Sequence, residues 1–510
     1  MISDHMVLPS GADIPLWGDA IDEKTVQVAF MSDDGKVYLS DEASVSASGE
    51  WLCRFPKVEP GLTGKLIFKG SSDERLEVLD VVTGEVWLAA GQSNMLYTIG
   101  RKEAPEINKT AAAEQAEQLK PQIRFFKVAS SKPSSPLKQV RGSWKVMDAE
   151  IVQTMSAVGW HFAATLNEHL KTPVGVIVAA WGGTPIEAWA PRSKLESDPV
   201  GLNVLSRQSR LDASYPDRIA KYEKELAEWE SANPTPALQH ENRRSKPKKP
   251  YVMADSHVPC RLYNGMIHPI APFAIKGAIW YQGENNAYRP SEYDELIHHL
   301  VNGWRERWGY TFPFYYVELA NLYPKQVEPV EIERQPGDGV PSWAYIRETQ
   351  AAILDLPNTG VATAVDVGEA GDIHPADKKS VGVRLGNLAL VEVYQKNLPS
   401  PYSPSFSHFD IEGATLRLHI DHADGLRLRG DNLDGFAIKG AEGDWAWAEG
   451  SISGDEILLR NDSIGEPVAV RYGWATNPIL SVENSTGLPL RPFRSDRDSG
   501  EWEGFVKIEQ

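Results

Sequence analysis

The sequence predicts an α/β protein in which a parallel sheet with helices on both faces is flanked by two β modules. Three observations carry that prediction. Apolar, strand-like runs at Val86 to Ala90, Val174 to Ala180, Ala274 to Trp280, Phe314 to Leu319 and Val361 to Val365 alternate with helical stretches such as Gly159 to His169 and Ser291 to Trp308. Continuous apolar runs joined by helices are the pattern of strands buried on both faces of a parallel sheet. Ahead of them, short β-rich runs separated by turn clusters, Thr25 to Phe30, Gly49 to Phe55 and Gly64 to Lys69, indicate a small sandwich over residues 1–80. Beyond about Ser403 the β pattern returns in Ala414 to Ile420, Glu456 to Arg460 and Ala469 to Trp474, so a second module is expected over 403–510, leaving 81–402 as the α/β core.

Within that core, Pro216 to Ala232 is a strongly charged helical pattern running into Asn233-Pro-Thr-Pro and the basic stretch Arg243 to Pro250. It reads as an insertion over about 205–255, a helix followed by a mobile loop outside the sheet.

Composition narrows the function. A chain of 510 residues with 42% hydrophobic content is long enough for two to four folded domains. Its formal net charge of −18 would repel the phosphates of nucleic acid or of an anionic membrane, so neither is expected as a partner. No run approaches the roughly 18 to 20 apolar residues of a membrane span. The opening Met1 to Leu8 reads as domain sequence without a basic stretch and apolar h-region, which suits a cytoplasmic protein or a secreted one lacking its leader. Cys53 and Cys260 are too few for a disulfide framework or a zinc site and are expected to be two buried thiols.

Four strand ends carry candidate chemistry. Val86 to Ala90 gives way to Gly91-Gln-Ser-Asn-Met95, which would present Ser93 just past the carboxyl end of a buried strand, where open α/β sheets place their ligands. Val176 to Ala180 leads into Trp181-Gly-Gly-Thr184, and paired glycines there let a backbone N–H approach a developing oxyanion. Gly277 to Tyr281 ends in Gln282-Gly-Glu-Asn-Asn286, a cluster of amides that can donate without carrying charge. Past Val361 to Val365, Asp372 and His374 stand two residues apart ahead of a helix pattern over Ala376 to Val391. A serine hydroxyl needs a base, and the base is best held by a carboxylate, so Ser, Asp and His form a chemically sufficient set.

These four blocks resemble those of the SGNH-hydrolase superfamily, and within it the sialate O-acetylesterase-like carbohydrate esterases. Trp181 to Trp189 is similar to that family's glycine block, Trp280 to Ala287 to its third block, and Asp372-Ile-His-Pro375 to its acid and base block. The likeness extends to Ser3 to Leu8, Trp343 to Gln350 and Gly487 to Arg494, and so covers nearly the whole chain. The resemblance implies a flavodoxin-like hydrolase core that removes acetyl groups from sugars, such as sialic acid or plant and algal glycans, with no metal or organic cofactor. Ser93 would attack, His374 would accept its proton, and Asp372 would orient the ring, with Asp366 and Glu369 as alternative carboxylates. The backbone N–H of Ser93, that of Gly183 or Gly182, and an amide from Gln282, Asn285 or Asn286 would form the oxyanion hole. Gln92, Asn94, Glu284 and Arg347 are the expected substrate contacts. The family's usual export implies a secreted or periplasmic protein, with a cytoplasmic one as the alternative. Two other functions compete: a silent glycan-binding protein using Trp445, Trp447 and Trp474, or a serine hydrolase for other short-chain esters.

Overall fold

The computed structural model of the chain describes residues 1–72, 74–250, 252–330 and 343–496. Its main sheet is organised around one long strand, β1 (Arg75–Gly91). The first part of β1 pairs antiparallel with Thr63–Gly70, in the register Thr63 to Val82 and Lys69 to Arg75, and so belongs to the N-terminal module. The last part runs parallel between β3 (Val174–Ala180) and β4 (Gly277–Tyr281). The division expected between residues 80 and 81 therefore falls inside a continuous strand, and one hydrophobic core extends from Met6, Leu16 and Phe30 into the central sheet.

Beyond β4 the parallel sheet continues through β5 (Phe314–Glu318) and β6 (Thr359–Thr363). On the other side of β3 lies β2 (Ile123–Lys127), with the antiparallel Trp144–Val146 at the edge. The pair β2 and Trp144–Val146 has no counterpart in the sequence reading, because a five-residue run of which Arg124 and Lys127 are part carries little periodic signal. In space the order is β6-β5-β4-β1-β3-β2. The chain builds one side of β1 first and then crosses to the other, so the carboxyl end of β1 lies where successive connections diverge, the usual crevice of open α/β sheets.

Side-chain alternation decides which helix covers which face. Gly277 pairs with Trp87 and Trp280 with Ala90, so the two tryptophans point to opposite sides of the sheet. Trp87 meets Phe162 of helix α1 (Ala157–Leu170) edge-on at 5.0 Å. Trp280 meets Trp304 of helix α3 (Tyr293–Trp308) at 5.7 Å on the other side. Between α1 and α3 in the chain, the charged pattern expected from Pro216 proves to be the second half of helix α2 (Pro199–Ala232), whose N-cap Asp198 accepts from the N–H groups of Val200 and Gly201. Pro216 lies inside this largely exposed helix, where water can satisfy the carbonyl that a proline leaves unpaired. The basic stretch folds back on it, with Trp229 donating to Ser245 Oγ at 3.2 Å and Lys246 lying 5.2 Å over the Trp229 ring.

Helix α4 (Trp343–Gln350) and helix α5 (Lys378–Glu392) complete the core. Helix α5 lies against α1 through glycines: a Cβ on Gly382 would stand 2.6 Å from His161 Cβ, and one on Gly386 2.8 Å from Thr165 Cβ.

The C-terminal module has two four-stranded sheets, Ser405–Glu412/Thr415–Asp421/Glu456–Arg460/Glu449–Ser453 and Ala446–Trp447/Phe436–Gly440/Pro467–Tyr472/Phe493–Arg494. Leu416, Leu418, Phe436, Ile438, Ile457, Leu459, Val470 and Tyr472 form a separate core between them. Residues 497–510, included in the expected module, lie outside the described residues. Trp474 is buried, and the Arg471 and Arg494 guanidinium groups lie 5.7 and 5.0 Å over its ring. Cys53 and Cys260 are both free and buried, and burial pushes their thiols up to about 11 and about 12. Among the described residues no helix is long and apolar enough to cross a membrane.

Because the α1–α5 contact has no room for a methyl group, Gly382→Ala is expected to lower stability by about 1–3 kcal/mol. Urea denaturation of the two proteins checks this, a matched midpoint being the contrary result.

Candidate active site

The serine turn is shaped by close backbone contact. Gly91 has φ +140°, and a Cβ there would come within 2.1 Å of the Tyr281 carbonyl oxygen. Only glycine lets the strand end this tightly. The ladder continues to the turn itself, with Gln92 N–H donating to Tyr281 O at 3.0 Å and Trp181 N–H to Gly91 O at 3.1 Å. Ser93 then begins a single helical turn, Ser93–Leu96, with its side chain partly exposed.

The glycine block comes alongside. A Cβ on Gly182 would lie 3.6 Å from Ser93 Cβ, and Gly183 adopts φ +70° with open space around it. Two side chains hold the Gly183 carbonyl: Asn285 Nδ2 donates to it at 2.8 Å, and His257 hydrogen-bonds the same backbone. Asn285 is partly exposed and keeps a second amide N–H beyond the one committed to Gly183.

Gln282 is not available for this role. It is fully buried, and its amide donates to Thr184 O at 3.1 Å and Asn286 Oδ1 at 2.7 Å while Tyr293 donates to its Oε1 at 3.0 Å. Asn286 is likewise enclosed, accepting from Ile186 N–H and donating to Glu187 at 2.9 Å.

The acid and base loop follows β6. Asp372 Oδ1 accepts the His374 backbone N–H at 2.8 Å and stands 3.5 Å from His374 Nδ1. The two alternative carboxylates are engaged elsewhere. Asp366 forms a two-pronged pair with Arg384, at 2.7 and 3.0 Å, and a third contact with Arg429 at 3.2 Å. Glu369 is exposed and accepts the Ala376 N–H at 2.7 Å, which braces the loop. Burial holds the His374 imidazole below its ordinary pKa, with the nearby Arg101 and Lys378 adding to the effect and Asp372 opposing it. Lys378 is itself buried, donates to Pro375 O, and lies 4.6 Å over the Tyr97 ring. Burial lowers its ammonium to about 7, against the pull of Glu284 and Glu369.

Asn94 brings the serine and histidine blocks together. Its amide donates to Ile373 O at 3.0 Å and to Glu284 Oε1, joining the residue after Ser93 to the residue before His374. The same bonds, with those that Gln92 accepts, place three of the expected substrate contacts inside the protein. Gln92, Asn94 and Glu284 are only 3%, 2% and 6% exposed and are engaged with partners inside the protein. They are the wall behind the serine: Gln92 Oε1 lies 3.5 and 3.4 Å from the N–H groups of Gly283 and Asn285, and burial raises the Glu284 carboxyl. Arg347 is also buried and donates to the carbonyls of Leu319, Ala320, Ala475 and Thr476 at 2.9–3.0 Å, fastening the core to the C-terminal module. Three neighbours of the site went unread in the sequence, namely His257, Lys378 and Arg101. None belongs to a strand-end motif; Lys378 follows His374 by four residues, whereas only the fold brings His257 to Gly183 and Arg101 to His374.

A strand-end serine, a carboxylate-supported imidazole and nearby amide donors can together perform acyl transfer. The sequence model of the carbohydrate esterase, sialic acid-specific acetylesterase family matches residues 83–230 and 255–393. The chain belongs to this family. The unmatched stretch between the two segments contains the basic loop. Sialate O-acetylesterases of mouse and human are each 27% identical to the esterase over 96% of its length, covering 93% and 91% of their own. A carbohydrate acetylesterase from Xanthomonas citri is 31% identical with a TM-score of 0.78, over 97% of the esterase and 98% of that chain.

Arg347→Met would take a donor from the buried carbonyls of Leu319 and Ala475, while Ala320 O keeps the Trp343 Nε1–H and Thr476 O the Leu322 N–H, and even one such loss costs about 1–3 kcal/mol. The variant is expected to unfold at clearly lower denaturant while KM of the folded enzyme stays within about twofold; a raised KM at unchanged stability would instead make Arg347 a substrate contact.

Proposed function

We propose that the protein is a serine esterase that removes O-acetyl groups from carbohydrates through an acetyl-enzyme. The observation that carries this is the Asn94 bridge, which ties the Ser93 turn to the His374 loop beside Gly183 and Asn285. The order of the parallel strands and the four motif blocks at their carboxyl ends support reading the core as an SGNH-type, flavodoxin-like hydrolase with a β module on either side.

In this reading His374 presents Nδ1 to Asp372, so its Nε2 takes the proton as Ser93 Oγ attacks the acetyl carbonyl. The tetrahedral oxyanion rests on the N–H groups of Ser93 and of Gly183 or Gly182 and on the Asn285 amide. His374 returns its proton to the departing sugar oxygen, and water then releases acetate by the same path in reverse. Asp372 steadies the ring and its positive charge. Ser93→Ala and His374→Ala are each expected to lower kcat on the order of 10⁴-fold or more, and Asn285→Ala roughly 10²- to 10³-fold. Acetate release from O-acetylated sialate, acetylxylan and acetylated pectin measures this and identifies the sugar. Undiminished turnover by Ser93→Ala on all three would refute the mechanism.

The carboxylate assignment has its own signature. Asp372→Asn should lose far more kcat than Asp366→Asn, whose main effect would be on stability through Arg384 and Arg429. The base must be neutral to act, and its pKa is held below the ~6.5 of a free imidazole. Activity should therefore rise with pH through a midpoint under that value and then level off. Arg101→Gln removes a cation that disfavours the imidazolium, so the midpoint should move upward; a profile that stays put or moves down contradicts the arrangement.

A further inference from the structure

The outer face of the C-terminal module carries a row of ligating side chains unrelated to the esterase site. In the hairpin of Ser405–Glu412 and Thr415–Asp421, His408 pairs directly with His419, and His419 pairs in turn with Glu456 on the next strand. Residues directly opposite on antiparallel strands project to the same side, as do residues two apart, so Asp410 joins the row. The register shift between Phe406 and His408 lets Phe406 and Phe409 both pack on the inner core while His408 and Asp410 stay outside.

The side chains converge as the backbone requires. His419 Nε2 lies 3.0 Å from Asp410 Oδ2 and its Nδ1 3.4 Å from Glu456 Oε1. The His408 and His419 rings stack at 4.2 Å. One ligand atom from each of His408, Asp410 and His419 lies within 4.8 Å of the others. Zinc bonds of about 2.0–2.1 Å set tetrahedral ligands about 3.3 Å apart, so a modest tilt of the exposed His408 ring closes the set. Local charge favours a cation: Arg417 is occupied by Glu412 and Glu456, which leaves the Asp410 carboxylate to the imidazoles.

We propose that His408, Asp410 and His419 bind a zinc-class divalent ion on this face, with Glu456 facing the other ring nitrogen of His419. Two imidazoles select borderline transition ions over calcium or magnesium, which prefer all-oxygen shells. The ion would pin the strand Ser405–Glu412, which among the described residues is paired on one side only.

Isothermal titration of the full chain with Zn²⁺ tests the site, using His408→Ala, His419→Ala and the double variant. Because Asp198, Glu295 and His299 form a second convergent group, His299→Ala serves as the control. One equivalent of Zn²⁺ should bind, and either hairpin variant should weaken it by at least the roughly 10-fold that even supporting residues of a metal site are worth. His299→Ala should retain that site, Ca²⁺ should not occupy it, and crystals soaked in Zn²⁺ should show anomalous scattering between residues 408 and 419. The proposal fails if wild type shows no saturable binding below about 1 mM, or if the double variant binds as wild type does.

Discussion

The Asn94 side chain is the junction on which the site depends. One amide nitrogen reaches Glu284 in the third block and the Ile373 carbonyl in the acid and base loop, while its own backbone follows Ser93. Three segments distant in the chain are thus held at one buried point. Such bonds are strong because water cannot compete for them, and for the same reason their loss leaves groups unsatisfied. This explains why the polar residues around the serine face inward. They fix the backbone around Ser93.

Electrostatics near His374 run against the character of the whole chain. A protein with a formal charge of −18 has two cations, Arg101 and Lys378, next to its histidine, and a single carboxylate, Asp372, against the ring. Burial and the cations favour the neutral imidazole, while Asp372 favours the imidazolium. The proposed mechanism asks for a base that is unprotonated before the reaction and stabilised after it, and these opposed influences would serve both needs. Net charge, which argues well about nucleic acid and membrane partners, says little about a site of this size.

Much of the fold was legible because buried parallel strands leave long apolar runs. Val174 to Ala180 is found as read, and the strands near 277, 314 and 359 lie within a few residues of their expected places. Pro216 misled the reading of helix α2, since an exposed helix can carry a proline whose unpaired carbonyl is hydrated. Ser93, Gly183, Asn285, Asp372 and His374, the residues of the proposed mechanism, could be singled out in the sequence because they follow strand ends. Gln282 and Arg347 looked equally functional, because an amide or guanidinium that faces a ligand and one that satisfies buried carbonyls have the same one-letter record.

By itself the sequence determined the class of chemistry and the ends of the strands that carry it, since apolar periodicity, glycine turns and reactive side chains are local properties. Only the tertiary structure decided which polar groups are committed to partners inside the core. Direction depends on partners far along the chain: Arg384 and Arg429 claim Asp366, four carbonyls claim Arg347, and the insertion returns His257 to Gly183. Hydrogen-bond satisfaction inside a packed core is a global condition, and it sets the partners of each buried polar residue.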